Sequence, residues 1–203
     1  MKTVALVTEK GGAGKSTIAV HLAIAAQRQG KVVALIDIDP QASAKLWCDR
    51  RGADDMAVVS ARAAELPRLL AEAKRQGADF VMIDTAGHAD VSADVVVQSA
   101  DMVLIPCRPS LYDLEAGAKT AKKVRTAGVK NAAFVLNAVP PRGTRADEAR
   151  AALSDVLPVA PVELHNLVAY SDALNDGRSV EELDPRGKAA EEIRALYEWI
   201  CGA

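Results

Sequence analysis

Aromatic residues and cysteines are scarce in this sequence. Only 3% of its 203 residues are aromatic, and its three cysteines, Cys48, Cys107 and Cys201, lie far apart and form no CxxC pair. An odd, scattered set of cysteines argues against a disulfide framework and against a zinc or iron–sulfur site, and so against a carrier of metal clusters. We therefore expect reduced thiols, with Cys107 packed in the core.

Long apolar runs and an excess of charge are also absent. No stretch approaches the roughly 20 apolar residues that span a bilayer, and the run after Met1 is too short for a signal peptide. The formal net charge is −2, so binding to nucleic acid or anionic lipid would need a local basic patch. These features predict a cytoplasmic protein.

Short apolar runs alternate with longer amphipathic stretches. The runs lie at 3–7, 32–36, 80–83, 102–105, 132–136 and 159–162, and the stretches at 15–29, 41–51, 61–76, 91–99, 114–126, 145–157 and 188–200. This alternation predicts an α/β fold with a mostly parallel central sheet and helices on both faces. No repeat or linker divides the chain, so we expect one domain over residues 1–203.

A glycine-rich loop follows the first predicted strand and precedes a helix. Its backbone N–H groups could surround phosphate oxygens, and the helix dipole would add to their attraction. Lys15 would contact the terminal phosphates and Ser16 would bind magnesium. A purely structural turn is the alternative. The loop predicts ATP and Mg²⁺ as cofactors, held by Gly11, Gly12, Ala13, Gly14, Lys15, Ser16 and Thr17.

The loop departs from the general pattern GxxxxGK[ST] at its start. Glu9 stands where that pattern has glycine, and Lys10 precedes two glycines. Because Lys15 already serves the loop's own nucleotide, Lys10 could reach a nucleotide held by another subunit. The alternative is a solvated loop lysine.

Acidic residues follow two of the apolar runs. Asp37 and Asp39 end the second run and Asp84 ends the third. Carboxylates at the carboxyl edge of a parallel sheet can hold magnesium and orient an attacking water. Capping of a helix by Asp39, before Pro40, is the alternative for one of these acids. We interpret the nearby His88 as a loop residue without a catalytic role.

Three segments together resemble the deviant Walker A ATPases of the ParA/MinD superfamily, which have the P-loop NTPase fold. They span residues 10–17, 37–41 and 83–87. The stretches 105–116 and 168–173, the latter followed by Gly177, resemble ParA more than MinD, and the resemblance extends over nearly the whole chain. The sequence starts at the first strand, so it resembles the small ParA type that lacks a helix-turn-helix extension.

The resemblance implies a role for each motif residue. Lys10 would contact the nucleotide across a dimer interface, and Thr17 would contact the α-phosphate. Asp39 would orient the hydrolytic water and share the metal with Ser16 and Asp84, and Asp37 would support Asp39. Asn137, at the end of a strand, would contact adenine. The implied catalytic set is therefore Lys10, Lys15, Asp37 and Asp39.

The resemblance also implies a function. ATP would drive a homodimer that binds DNA nonspecifically, and a ParB-like adaptor would stimulate hydrolysis, so that plasmid or chromosome DNA is partitioned over the nucleoid. Two alternatives stay open: an ATPase that positions a protein organelle or cluster, and a small-molecule ligase resembling dethiobiotin synthetase.

Basic residues cluster in two neighbouring stretches. A DNA-binding patch could include Lys119, Lys122, Lys123, Arg125 and Lys130, followed by Arg142, Arg145 and Arg150, although a solvated helix face is the alternative. The last helix carries apolar residues at helical spacing, at 193, 196, 197 and 200, with acids at 191, 192 and 198. That pattern predicts a helix packed on the core and disfavours a membrane anchor.

Overall fold

The computed structural model describes residues 1–87, 92–129 and 131–202, without the side chains of residues 92–94. His88 and Lys130 therefore lie outside the described residues. The strands are β1 (Lys2–Leu6), β2 (Val33–Asp37), β3 (Ala57–Ser60), β4 (Phe80–Asp84), β5 (Met102–Cys107), β6 (Ala132–Val139) and β7 (Val159–His165).

In the described part of the chain, these strands form one seven-stranded sheet in the order β3-β2-β4-β1-β5-β6-β7. Every pairing is parallel. The chain leaves the central strand β1 toward β2 on one side and later crosses to β5 on the other. Ligands of open α/β sheets bind at the carboxyl edge where the strand order reverses, and here that point is the end of β1.

Helices cover both faces of the sheet, as the sequence predicts. Alternate residues of β1 explain the two layers, because Val4 and Leu6 join one buried cluster while Ala5 and Val7 join the other. The helices are α1 (Lys15–Arg28), α2 (Ser43–Arg51), α3 (Leu66–Arg75), α4 (Ser92–Ser99), α5 (Leu111–Thr126), α6 (Arg145–Ser154), α7 (Val168–Asn175), α8 (Val180–Leu183) and α9 (Lys188–Gly202).

Helix α9 is packed on the core, which confirms the prediction made from its apolar spacing. Ile193, Leu196 and Ile200 are fully buried and Tyr197 is nearly so. Together with α1, α2, α7 and α8, this helix covers the face of the sheet that carries Val4 and Leu6. Cys107 is buried as expected.

Three short elements do not appear among the predicted ones. Strand β3 is a four-residue edge strand that is mostly exposed, so it lacks the apolar run that reveals a central strand. Helices α7 and α8 have eight and four residues, too few to show a clear helical period. The expected helix at 61–76 begins only at Leu66, after a 3₁₀ turn over Ala63–Glu65.

The junction between α2 and α7 depends on a glycine. Gly177 follows α7 with φ of +67°, and a Cβ there would lie 2.6 Å from the backbone nitrogen of Arg51. The Arg51 guanidinium donates to the Gly177 carbonyl oxygen at 3.3 Å and to the Glu182 carboxylate at 2.7 and 2.8 Å. The backbone contact of Gly177 with Arg51 and the ion pair of Arg51 with Glu182 thus join α2 to the segment after α7.

We expect Gly177→Ala to destabilise the protein more than Gly30→Ala. Gly30 has a similar φ of +77° but open space around it, so alanine there costs about 1 kcal/mol of backbone strain. At Gly177 the clash adds to the strain, for a total loss of about 2–4 kcal/mol. Urea unfolding of both variants measures the difference, and equal losses would contradict the close contact.

Candidate functional site

A cleft of about 1050 Å³ opens at the carboxyl edge of the sheet. Its walls come from the loop after β1, the loops after β2 and β4, and the ends of β6 and β7. Most of the residues predicted from the sequence line it, namely Gly11, Gly12, Gly14, Lys15, Ser16, Thr17, Asp39 and Asn137. The fold therefore brings motifs that are distant in sequence to one place.

The glycine-rich loop after β1 presents unpaired backbone N–H groups to this cleft. Gly12 and Gly14 have φ of +73° and +98°, and helix α1 begins directly after Gly14. No described residue accepts a hydrogen bond from the backbone N–H groups of residues 11–17. Such a loop at a helix N-terminus is suited to bind an anion such as phosphate.

Neighbouring segments hold the loop in shape. The backbone of Gly87 lies against Gly11, where a Cβ would come within 3.0 Å of the Gly11 nitrogen. The Asn137 side-chain amide donates to the Ala13 carbonyl oxygen at 2.7 Å, and a Cβ on Gly14 would clash with that amide. The structure thus places Asn137 beneath the loop.

Lys15, which lines the cleft, and the nearby Asp84 are both buried charged residues. Burial lowers the pKa of Lys15, although the Asp84 and Asp39 carboxylates oppose this effect. Asp84 is fully buried, and burial raises its pKa to about 7, moderated by the Ser16 hydroxyl and reinforced by Asp37. Neither oxygen of Asp84 has a hydrogen-bond partner of ordinary geometry among the described residues.

These orphaned oxygens fit a hydrated magnesium ion. A buried carboxylate without a partner is costly, and Mg²⁺ prefers oxygen ligands and keeps several of its waters. Within the described residues no group of three or more His, Cys, Asp or Glu side chains is placed to hold a metal. Asp84, with Asp39 and the Ser16 hydroxyl, would be the protein ligands of an ion that is also bound by phosphates.

Asp37 and Asp39 differ in their surroundings. Asp37 is fully buried, and its carboxylate accepts from the backbone N–H groups of Asp39, Ala44 and Lys45 at 3.0, 2.9 and 3.2 Å. Among the described residues, the Asp39 carboxylate accepts only from the Gln41 N–H, at 2.9 Å, and Asp39 lines the cleft. Asp37 thus accepts from the first turn of helix α2, and the alternative considered from the sequence, capping by Asp39, does not apply.

Lys10 is paired within its own chain. Its ammonium group lies 2.7 Å from the Asp113 carboxylate at the start of α5, and that carboxylate also accepts from the Ser110 hydroxyl. The neighbouring Glu9 pairs with Lys123 of the same helix, so α5 is bound to the beginning of the phosphate loop by two ion pairs.

The basic patch is only partly available to a ligand. Lys119, Lys122 and Arg125 are exposed on α5, and Arg142 and Arg145 are exposed before and at the start of α6. Lys123 is engaged with Glu9. Arg150 donates to the Ala160 carbonyl oxygen at 2.9 Å and to Glu163 at 3.1 Å.

Sequence reasoning missed the far wall of the cleft. His165, the last residue of β7, and Tyr170, on α7, line the cleft beyond Asn137. Both contact the buried Glu192 of α9. The available signal was an ionisable side chain at the end of a strand, the position that Asp37 and Asp84 also occupy.

The sequence matches the CobQ/CobB/MinD/ParA nucleotide-binding domain over residues 4–180, a range that includes every residue lining the cleft. The chain belongs to this family. The resemblance to the ParA/MinD superfamily and the predicted P-loop NTPase fold are thereby confirmed.

Two curated relatives in this family align with nearly the full chain. The maintenance of carboxysome distribution protein A of Halothiobacillus neapolitanus is 30% identical over 208 residues, covering 98% of this chain and 95% of that protein. The protein of the same name from Gloeobacter kilaueensis is 32% identical, covering 98% and 92%. Protein ParA of Rhizobium radiobacter is 30% identical over 126 residues, covering 61% of this chain and 56% of that protein.

A solved structure supports the fold of this family member. The apo form of McdA from Cyanothece superposes with a TM-score of 0.81 at 18% identity, covering 98% of this chain and 99% of that one. In the part of this chain that the structure describes, no helix is long and apolar enough to cross a membrane.

We expect Asp37→Ala to lower the stability of the protein and Asp39→Ala to leave it nearly unchanged. Without the Asp37 carboxylate, three backbone N–H groups lose their acceptor and α2 loses its cap. The free energy of unfolding should fall by about 2–4 kcal/mol. Asp39 supports a single N–H in a more exposed turn, so its loss should cost less than about 1 kcal/mol. Urea unfolding without nucleotide tests this, and equal effects would contradict the assignment.

Proposed function

We propose that this protein is an ATP-dependent dimerisation switch that positions a protein organelle or another large protein assembly in the cell. The observation that supports this cargo is the nearly end-to-end similarity to two carboxysome-distribution proteins. Similarity to the ParA named above covers a smaller part of the chain. The expected partition of plasmid or chromosome DNA is therefore less well supported than the alternative, and the relatives named above lend no support to the ligase.

The nucleotide would bind with its phosphates on the loop at 11–17. The unpaired N–H groups and Lys15 attract the phosphates, and Thr17, at the first turn of α1, lies beside them. Ser16, Asp39 and Asp84 would hold magnesium, which neutralises phosphate charge. Asp39 lines the cleft and is free to accept a hydrogen bond from the water that converts ATP to ADP and phosphate.

Asp37 would act as a positioning residue. It accepts from the Asp39 backbone N–H at 3.0 Å and from the first turn of α2 at 2.9 Å, so it fixes the turn on which Asp39 stands. Its oxygens are occupied by these bonds, which favours the supporting role that the resemblance implies over direct contact with water.

Lys10 would provide the differential contact that couples ATP to dimerisation. In the single chain it is satisfied by Asp113 at 2.7 Å, with its side chain 39% exposed. A phosphate held by a second subunit would compete with Asp113 for this ammonium group. A ligand shifts a conformational equilibrium only through such a difference in contacts between the two states.

The dimer would associate with the nucleoid through nonspecific DNA contacts. Lys119, Lys122 and Arg125 of α5 are exposed, and a dimer would double their number. Phosphate contacts of this kind weaken steeply with salt. An adaptor protein on the cargo, in the place of ParB, would stimulate hydrolysis in this cytoplasmic cycle.

We expect Lys15→Ala and Lys10→Ala to separate nucleotide binding from dimerisation. Lys15→Ala should weaken ATP binding by about 100-fold or more, because a buried charge against the phosphates is lost. Lys10→Ala should retain ATP binding within about threefold but lose the ATP-dependent dimer. Calorimetry and sedimentation velocity measure the two properties.

The exposed Lys31 provides a control, since Lys31→Ala removes the same charge away from the cleft. Normal ATP affinity in Lys15→Ala would refute the phosphate site. A normal dimer in Lys10→Ala would refute the proposed switch while leaving the nucleotide site intact.

In the source organism, we expect replacement by the Asp39→Ala variant to disturb protein assemblies and spare DNA inheritance. Slow hydrolysis should keep the dimer bound to the nucleoid, so the assemblies lose their regular spacing. Fluorescence microscopy of the assemblies and plasmid retention over generations measure the two outcomes. Plasmid loss with normally spaced assemblies would instead indicate DNA as the cargo.

A further inference from the structure

The two sides of the phosphate loop differ in chemistry. Carboxylates stand at the ends of β2 and β4, on one side of the central strand, where Asp37 and Asp84 are paired in register. The ends of β6 and β7 lie on the other side, where Asn137 and His165 line the cleft. Since carboxylates suit the metal and the terminal phosphate, a bound nucleoside would extend toward β6 and β7.

Asn137 is not free to recognise a base with its amide donor. Its NH₂ group donates to the Ala13 carbonyl oxygen at 2.7 Å and lies against Gly14. His165 follows on the next strand, next to Val139 in the pairing of β6 with β7. The histidine thus lies on the strand next to that of Asn137 and lines the same cleft.

Glu192 fixes the histidine. One carboxylate oxygen, Oε1, lies 2.7 Å from His165 Nδ1. The other, Oε2, accepts from the His165 backbone N–H at 3.0 Å and from the Tyr170 hydroxyl at 2.9 Å. Glu192 is only 8% exposed, and Tyr170 packs in turn against His21 of α1.

This contact determines the histidine tautomer. An ionised carboxylate only accepts hydrogen bonds, so Nδ1 must carry the proton that lies between the two groups. In the neutral ring the other nitrogen, Nε2, is then an acceptor. No described residue bonds to Nε2, and it is not one of the buried atoms that lack a partner. Since His165 lines the cleft, Nε2 is the ring nitrogen available to a ligand there.

We propose that His165 selects the base of the nucleotide, with Nε2 accepting a hydrogen bond from the 6-amino group of adenine. A 6-oxopurine would instead present a carbonyl oxygen to the same acceptor, which is repulsive. Glu192 is a positioning residue that acts through the histidine. This inference rests on nucleotide binding in the proposed function and adds the basis of its selectivity.

The test compares the affinities of Mg–ATP and Mg–ITP, because the two differ at the 6-position and in the N1 proton. Wild-type protein should prefer ATP by about tenfold or more, the equivalent of one good hydrogen bond and one avoided repulsion. His165→Phe keeps a ring but removes Nε2, so the ratio of the ATP affinity to the ITP affinity should fall to within about twofold of unity. Titration calorimetry measures both affinities.

Glu192→Gln provides a second variant with an opposite prediction. The two donors at Oε2 should keep the glutamine oxygen on their side, so its NH₂ group faces Nδ1. Nδ1 then becomes an acceptor and Nε2 carries the proton, which turns the preference toward ITP. Nitrogen NMR of the His165 ring reports its tautomer directly. If Glu192 had only a structural role, Glu192→Gln would leave that tautomer unchanged.

Ser171→Ala is the matched control, since Ser171 lines the same wall but its hydroxyl is bonded to the Val168 carbonyl oxygen. The ATP-to-ITP affinity ratio of this variant should equal that of wild type. The inference alone is overturned if wild-type protein binds both nucleotides tightly with an ATP-to-ITP affinity ratio near one. It is also overturned if that ratio is unchanged in both His165→Phe and Glu192→Gln. Failure of wild-type protein to bind either nucleotide overturns the proposed function as well.

Discussion

The unpaired backbone N–H groups at the end of β1 are the constraint that organises this molecule. Seven residues, 11–17, offer donors that no described part of the protein accepts, and exposed donors of this kind tend to collapse onto a nearby carbonyl. The surrounding contacts oppose such collapse. Gly87 presses against Gly11, the Asn137 amide holds the Ala13 carbonyl oxygen, and Thr120 accepts from the Glu9 N–H.

Charges around the loop are arranged by the same constraint. Asp37 uses its carboxylate on backbone N–H groups, and so shapes the turn that carries Asp39. Asp84 accepts no hydrogen bond of ordinary geometry from the described residues and lies near the buried Lys15. Lys10 is satisfied by Asp113. Among the described residues, Asp84 is thus an acid without an ordinary hydrogen bond, and Lys10 is a lysine whose partner could be exchanged. Both are suited to a ligand that brings phosphate and metal together.

The sequence was most informative where the structure is local. The unit of β1, the loop and α1 was predictable because a buried run, closely spaced glycines and Lys15-Ser16 each have one common structural meaning. The central strands and α9 were predictable because burial leaves a periodic pattern. Strand β3 and helices α7 and α8 were not, since short or exposed elements leave little pattern.

Contacts between distant residues escaped sequence reasoning. The pairs Lys10–Asp113 and His165–Glu192 depend on how the helices pack, and no spacing in the chain encodes them. The role of Asp37 escaped for the same reason, because the sequence does not distinguish an acid that caps a helix from an acid that faces the cleft.

The place of Glu192 on α9 has a consequence for the chain during synthesis. The phosphate loop leaves the ribosome well before Glu192, because α9 follows the loop in the chain. A nascent chain could therefore shape a site for phosphate long before it could orient His165. Selection of the base would begin only when α9 packs against β7. Adenine-specific binding would therefore stabilise the completed domain but not a partly synthesised one.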